Sequence, residues 1–575
     1  MIKAVSRRGS GIVLTAFAAL FCCGGAAAAE PWIRVSAPEL DLYTTAAPKQ
    51  AKELLARLEE VRSFFQKASP VRQISEMPLR IVDFRTAEEF QRYSPNRIST
   101  AFFTSGGHRD YIVLGPESQD NFGIAMHEYM HLILRHSGLK LPVWLNEGWA
   151  DVYSTLRPMG RETAVGDLIP DRVEALSKGA WLDLDTLATV GSASPIYNES
   201  ARAGIFYAES WALVHMLYLA PEYQANFPKF VYQLNAGRTM AEALQAAWGR
   251  STAQIFLELQ NYFKRKKLVG RVYESRADKF REEPQQSAVP DLEIGLIEAD
   301  LLTMTGRQTE ARAALEALER DNPGRAGVAR ARGDLAKARK DEEAERTEYE
   351  TAFDEGEQDP YMCLELAQLE QRKGQLAKAV TVLERAVRVK PGFVDAEVPL
   401  GLMRMDLRRF DDAIRTFLAI DEIRPEMATA VFCGLATSYV QTGDFEAARA
   451  HLATCRKWAK SEVELKRAAQ TAAFLEARAK PEAAVRKGEK RAAVAGMAMG
   501  VDCGTTGARL QVQLAGNKVA GFDLPMSAAV ELMPAHGGQL TLKCGPMKPV
   551  PVAVEFAPPL TAIGNSSGVV RRVEY

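Results

Sequence analysis

Ala125-Met126-His127-Glu128-Tyr129-Met130-His131-Leu132 sets two histidines four residues apart, with a glutamate directly after the first. On a helix, residues at i and i+4 share a face, so both imidazoles can reach one zinc ion while Glu128 flanks the same point as a base. The flanks agree with a helix. Asp120 and Asn121 are good capping residues before it, Gly138 stops it, and Arg135 and His136 place positive charge in the last turn, where the dipole favours it.

Two imidazoles do not complete a catalytic zinc site, which takes three protein ligands and leaves a fourth position for water. The next segment, Pro142-Val143-Trp144-Leu145-Asn146-Glu147-Gly148-Trp149-Ala150-Asp151, follows a helix-breaking loop at Gly138 to Pro142 and reads as a second helix. Glu147, sixteen residues after His131, is close enough to fold back as the third ligand. Asp151 lies on the same helical face, where it can accept a hydrogen bond from the outer nitrogen of a ligand imidazole. Trp144 and Trp149 are expected to pack the two helices together.

These residues resemble the gluzincins, the thermolysin-like and aminopeptidase-like zinc peptidases, in which a second helix supplies Asn-Glu-x-x-Ala or Glu-x-x-x-Asp. Both patterns occur here, in Asn146 to Ala150 and in Glu147 to Asp151. The loop between the helices is somewhat shorter than in the thermolysin type. The metzincin pattern fails, because it needs glycine at 134 and histidine at 137, where this chain has Leu134 and Ser137. The resemblance implies that His127, His131 and Glu147 bind zinc and that Glu128 takes a proton from water as it attacks a peptide carbonyl. It also implies a tyrosine or histidine that stabilises the oxyanion. Tyr207 is favoured for that role over His215, both from the helix-like stretch Tyr207 to His215. The strand Tyr111 to Leu114 is the expected edge for an extended substrate.

Upstream, Trp32 to Tyr43 alternates like a strand, Ala51 to Phe65 has helical spacing, and Leu79 to Phe84 is strand-like. Ala101 to Thr104 and Tyr111 to Leu114 flank Ser105-Gly106-Gly107-His108, which predicts a hairpin with His108 exposed at its turn. From about Gln119 to Arg265 the pattern is helical. Sheet first and helices afterwards predicts an α+β, zincin-like peptidase domain over residues 30–270.

Residues 290–480 repeat. Ala311, Ala379, Ala413 and Ala448 fall 68, 34 and 35 residues apart. Twelve residues before them stand Ala299, Ala367, Gly401 and Ala436, and twelve after the first three stand Pro323, Pro391 and Pro425. Five residues before them, at the expected turn of each helical pair, stand Gly306, Gly374, Arg408 and Gly443. Small residues let paired helices approach and proline ends each unit, so the period resembles the tetratricopeptide repeat (TPR), an all-α solenoid that binds protein partners. The unit between Pro323 and Pro360 keeps the length but carries Glu345 in place of the packing alanine. Lys480 to Ala493 reads as a helical end or linker. Residues 495–575 alternate in short runs and predict a small all-β domain.

The chain of 575 residues, 47% hydrophobic and 25% charged, is a multidomain globular protein, and its formal charge of −1 gives no field for nucleic acid. Lys3, Arg7 and Arg8, then an apolar run from Ile12 to Cys22 and the small residues Ala27 to Ala29, read as a signal peptide over 1–29. Export to the periplasm or the medium is therefore expected, a lipid anchor at Cys22 or Cys23 is the rival reading, and no membrane span is expected. Five cysteines remain in the mature chain, so at least one is unpaired within it. Cys503 and Cys544 are either a disulfide or two buried thiols. Two functions stay open: an active zinc peptidase with partner-recruiting repeats, or a scaffold whose peptidase-like domain binds metal without turnover.

Overall fold

The computed structural model describes residues 31–37, 40–71, 77–97, 99–120, 122–178, 181–198, 200–265, 268, 270–275, 283–479, 490–504, 507–524, 530–534, 540–557 and 566–575. The signal peptide expected over 1–29 and most of the charged linker at 480–489 lie outside them. The chain divides into two compact units, Met1–Pro391 and Gly392–Tyr575.

The first unit opens with β1 (Ile33–Ala37), β2 (Leu40–Thr44), α1 (Pro48–Lys67), β3 (Leu79–Asp83), α2 (Ala87–Gln91), β4 (Ala101–Ser105) and β5 (Asp110–Leu114). Then come α3 (Glu117–Asp120), α4 (Phe122–His136), α5 (Val143–Ser154), β6 (Arg157–Pro158), β7 (Glu162–Val165), α6 (Pro170–Ser177), α7 (Leu184–Thr189), α8 (Pro195–Asn198) and α9 (Ser200–Leu219). α10 (Phe227–Asn235), α11 (Met240–Trp248), α12 (Thr252–Phe263), β8 (Arg271–Glu274) and β9 (Gln285–Ala288) complete this part. The stretch from Trp32 to Tyr43, expected as one strand, is two antiparallel strands, β1 and β2.

The main sheet has the order β4-β5-β3-β2-β1-β9, with β2, β3 and β5 mutually parallel and β4 antiparallel to β5. Its last strand comes from beyond residue 270. The expected hairpin of β4 and β5 forms, with Ala101 opposite Leu114 and Ser105 opposite Asp110. One expectation is overturned. The strand Tyr111 to Leu114 is not an edge, because β5 is bonded on both sides, to β3 and to β4. The sheet's edge on that side is β4, and β9 forms the other edge.

Successive strand residues point to opposite faces, so Leu42, Ile81 and Ile112 face one way and Tyr43, Val82 and Val113 the other. The first face packs on Leu55, Leu58 and Phe64 of α1 and Met126 and Met130 of α4. In the same core, the Trp144 ring of α5 lies tilted against Phe230, and Trp149 meets Tyr218 and Phe227 edge-on.

The second face is covered by the first helices of the repeat region, α13 (Asp291–Met304), α14 (Gln308–Asp321) and α15 (Ala326–Ala338), which α16 (Glu342–Asp354), α17 (Pro360–Arg372) and α18 (Leu376–Val389) follow in the chain. Tyr43, Val82, Phe102, Tyr111 and Val113 bury against Ile297, Leu301, Ala311, Leu315 and Leu335. The turns are in phase: Gly306, Lys340 and Gly374 take positive φ of 81°, 60° and 77°. Lys340 shows that the unit with Glu345 keeps the geometry of its neighbours at the price of one strained residue.

The second unit continues with α19 (Val394–Asp406), α20 (Phe410–Leu418), α21 (Pro425–Thr442), α22 (Phe445–Trp458) and α23 (Glu462–Ala479). Arg408 and Gly443 hold the same turn, with φ of 59° and 87°. A disulfide joins Cys433 of α21 to Cys455 of α22, a pairing the sequence did not suggest. Beyond them β10 (Ala492–Gly504), β11 (Gly507–Gln513), β12 (Val519–Leu524), β13 (Glu531–Met533), β14 (Gly545–Ala557) and β15 (Ser566–Glu574) form the expected C-terminal sheet. β12 pairs with β15 as well as β11, which closes five strands into a barrel around Val501, Leu510, Val512, Phe522, Val554 and Val570. Cys503 and Cys544 are bridged, and Cys363 is a buried thiol. Among the described residues, no helix is long and apolar enough to cross a membrane.

Candidate metal centre

α4 and α5 pack side by side, and a left-handed Gly138 (φ 73°) and Pro142 at the N-cap of α5 reverse the chain between them. This brings the predicted residues together. His127 Nε2 and His131 Nε2 lie 3.0 Å apart, and Glu147 Oε2 lies 3.2 Å from the first and 3.5 Å from the second. Among the described residues these three are the group of His, Cys, Asp and Glu side chains whose ligand atoms converge.

The outer nitrogens decide the chemistry. His127 Nδ1 lies 2.9 Å from Asp151 Oδ1, and His131 Nδ1 lies 2.7 Å from Asn146 Oδ1. Both partners are acceptors, so each Nδ1 carries the proton and each Nε2 presents a lone pair to the centre. Two lone pairs and a carboxylate oxygen facing one another within hydrogen-bonding distance repel unless a cation or protons sit between them. The donor set, two imidazoles and one carboxylate, is the one zinc takes in a catalytic site.

Protons and metal compete for the same atoms. Burial alone would lower the His127 pKa, but its bonds to Asp151 and Glu147 outweigh that and lift it to about 10. Burial disfavours a charged Glu147, yet His131 and His127 outweigh it and hold the carboxyl well below its ordinary range. Glu128 differs. Burial raises its pKa, His127 and His131 pull it back only in part, and its carboxylate is hydrogen-bonded by the backbone of Phe103 on β4. The edge strand thus touches the candidate base directly.

Asp151 is held from its other side by Arg172 of α6, whose Nε donates to Oδ2 at 2.7 Å. The same guanidinium lies over the Tyr207 ring, 5.1 Å from its centre. Tyr207 is therefore beside the site but not on the convergent atoms. Closer is Tyr197 of α8, whose hydroxyl donates to Glu147 Oε1 at 2.8 Å and whose ring is 5.8 Å from that of Tyr207. His215 is remote from this chemistry, buried with Nδ1 on the Tyr262 hydroxyl and Nε2 on the Gly166 carbonyl. His136 is bonded to Asp110 of β5 at 2.5 Å, facing away from the centre.

Sequence reasoning missed Tyr197, Arg172 and the Phe103 backbone, none of which has a spacing tied to the histidine pair. Asn146 was quoted as part of a motif, and its place beside Glu147 was the available signal for its role on His131. His108 requires a correction. Expected at an exposed turn, it is 3% exposed because the turn is buried against the helical repeats.

Residues 364–428 match the tetratricopeptide repeat family model. Among solved structures the chain is similar to YrrB, described as a TPR protein with an unusual peptide-binding site, at 19% identity over 31% of this chain and 92% of that one, with a TM-score of 0.28. It is also similar to a MamA AMB-1 structure at 21% identity over 29% of this chain and 96% of that one, with a TM-score of 0.25. None of the curated proteins compared matches the chain. The repeats give the chain a helical module of the kind that binds proteins.

Proposed function

We propose that this protein is an exported zinc-dependent peptidase of the gluzincin type, its metal held by His127, His131 and Glu147. The observation that carries the reading is the convergence of two Nε2 atoms and Glu147 Oε2, with both Nδ1 atoms already committed to Asp151 and Asn146. Zinc bound there supplies Lewis acidity, polarising the scissile carbonyl and easing deprotonation of the attacking water. Glu128 takes that proton. Burial lifts its pKa towards the working range of a general base, and the Phe103 backbone fixes its direction. Tyr197, with Tyr207 behind it, supplies the hydroxyl for the developing oxyanion. β4, with one side unpaired in its sheet, accepts the extended substrate backbone in place of the strand Tyr111 to Leu114.

The two disulfides support export, because such bonds persist in oxidising compartments. Metal analysis of the purified protein, with peptide-library cleavage measured with and without a chelator, tests the assignment. Glu128→Gln should retain zinc and lose turnover on the order of 10²- to 10⁴-fold. Turnover equal to the parent in that variant, or a protein that takes up no zinc, would leave the scaffold reading.

A further inference from the structure

Four consecutive residues at the turn and start of β5 each reach a different neighbour. His108 Nε2 lies 2.7 Å from Asp334 Oδ1 of α15 and 2.9 Å from the Tyr349 hydroxyl of α16. Arg109 donates to Asp359, the N-cap residue of α17, at 2.7 Å. Asp110 bonds His136 at the end of α4, the helix carrying the histidine pair. Tyr111 donates to Asp300 of α13 at 2.7 Å. Ahead of them, a Cβ added at Gly106 would meet Met304 of α13, and one at Gly107 would meet Lys337 of α15 and Glu365 of α17.

The receiving residues follow the repeat. Asp300 and Asp334 are 34 residues apart, the same position in successive units. Arg330 is ion-paired with both. α13, α15 and α17 are the first helices of their pairs, and in a solenoid equivalent positions on successive units form one continuous surface. The turn lies along that surface as a bound peptide would, and three of its contacts are charged groups withdrawn from water. Truncating one partner of such a pair strands the other, so the turn is firmly anchored.

We infer that residues Gly106 to Tyr111 are a built-in ligand of the first three repeats, and that this docking holds β4 in place so that Phe103 stays on Glu128. The first three helical pairs are thus part of the catalytic apparatus, and their ligand-facing surface is already taken. His108 and Arg109 are positioning residues that act through β4. The inference rests on the peptidase reading for its catalytic consequence and on geometry alone for the docking.

The test compares three full-length proteins: the parent, the double variant H108A/R109A, and L452A, which truncates a buried leucine of α22 in the second compact unit and costs stability of a similar order. Amide hydrogen exchange over Ala101–Ser105, zinc content, kcat and KM are measured for each. In the double variant, exchange of β4 should rise roughly tenfold or more. Its kcat should fall roughly 10- to 100-fold, with zinc content kept. L452A should match the parent in both. Unchanged β4 exchange, or a kcat loss no larger than that of L452A, overturns the inference. A parent without peptide turnover would instead sink the peptidase reading, while the exchange comparison would still decide the docking.

Discussion

Asp151 Oδ1 stands 2.9 Å from His127 Nδ1, one helix reaching across to fix the tautomer of a side chain on the other. Because Arg172 holds the second carboxylate oxygen, Asp151 cannot swing away without stranding a guanidinium. The pair fixes the direction in which the His127 Nε2 lone pair points.

Replacing Asp151 by Asn should therefore weaken zinc binding by about 10- to 100-fold while leaving the fold intact, since such outer partners tune ligand basicity and orientation. Competition against a chromophoric chelator measures it. An affinity equal to the parent's would show that His127 needs no partner.

The tyrosines divide by distance. Tyr197→Phe removes the hydroxyl that meets Glu147, and kcat should fall on the order of 10²-fold. Tyr207→Phe, one ring further out, should cost less than that. Steady-state kinetics of the two variants ranks them, and the reverse ranking would restore Tyr207 to the role first expected of it.

Gly148 sits directly after Glu147, and a Cβ there would collide with the Ser210 carbonyl of α9. Backbone cannot give way like a flexible side chain, so Gly148→Ala should destabilise by about 1–3 kcal/mol and tilt α5. Thermal unfolding with a parallel zinc titration should show both effects together.

Glu209 of α9 gives a pH signature. Burial raises its carboxyl to about 8, partly offset by the Leu182 amide that donates to it. The folded state thus prefers the protonated form more than the unfolded chain does, so the stability it contributes is whole below the ordinary carboxylate range and is lost as pH rises towards about 8. Melting temperature should fall across that window, and Glu209→Gln should flatten this part of the profile.

The sequence exposed what rests on local periodicity. His127 to His131 and Glu147 to Asp151 are spacings on single helices, and the turn positions Gly306, Gly374 and Arg408 recur with the repeat, so all were legible. Tyr197, Arg172 and the Phe103 backbone reach the site from elements with no fixed spacing to it, and only packing shows them. His108 misled for a physical reason. A glycine-rich hairpin turn is exposed unless something far along the chain covers it, and Tyr349 and Asp334 lie more than two hundred residues away. The edge-strand error was similar, because alternation reveals a strand but not its neighbours.

β9 pairs with β1 only after twelve helices have been made, and the second face of the sheet is covered only by α13 to α15. A fragment cut near Phe263 would leave Ile33–Ala37 as a bare edge, ready to pair with another chain. One cut after Ala288 would seal that edge but leave Tyr43, Val82, Phe102 and Val113 in water. The half that carries the candidate metal centre is therefore not portable on its own, and the shortest excised piece that covers both faces of its sheet must carry the helices through α15.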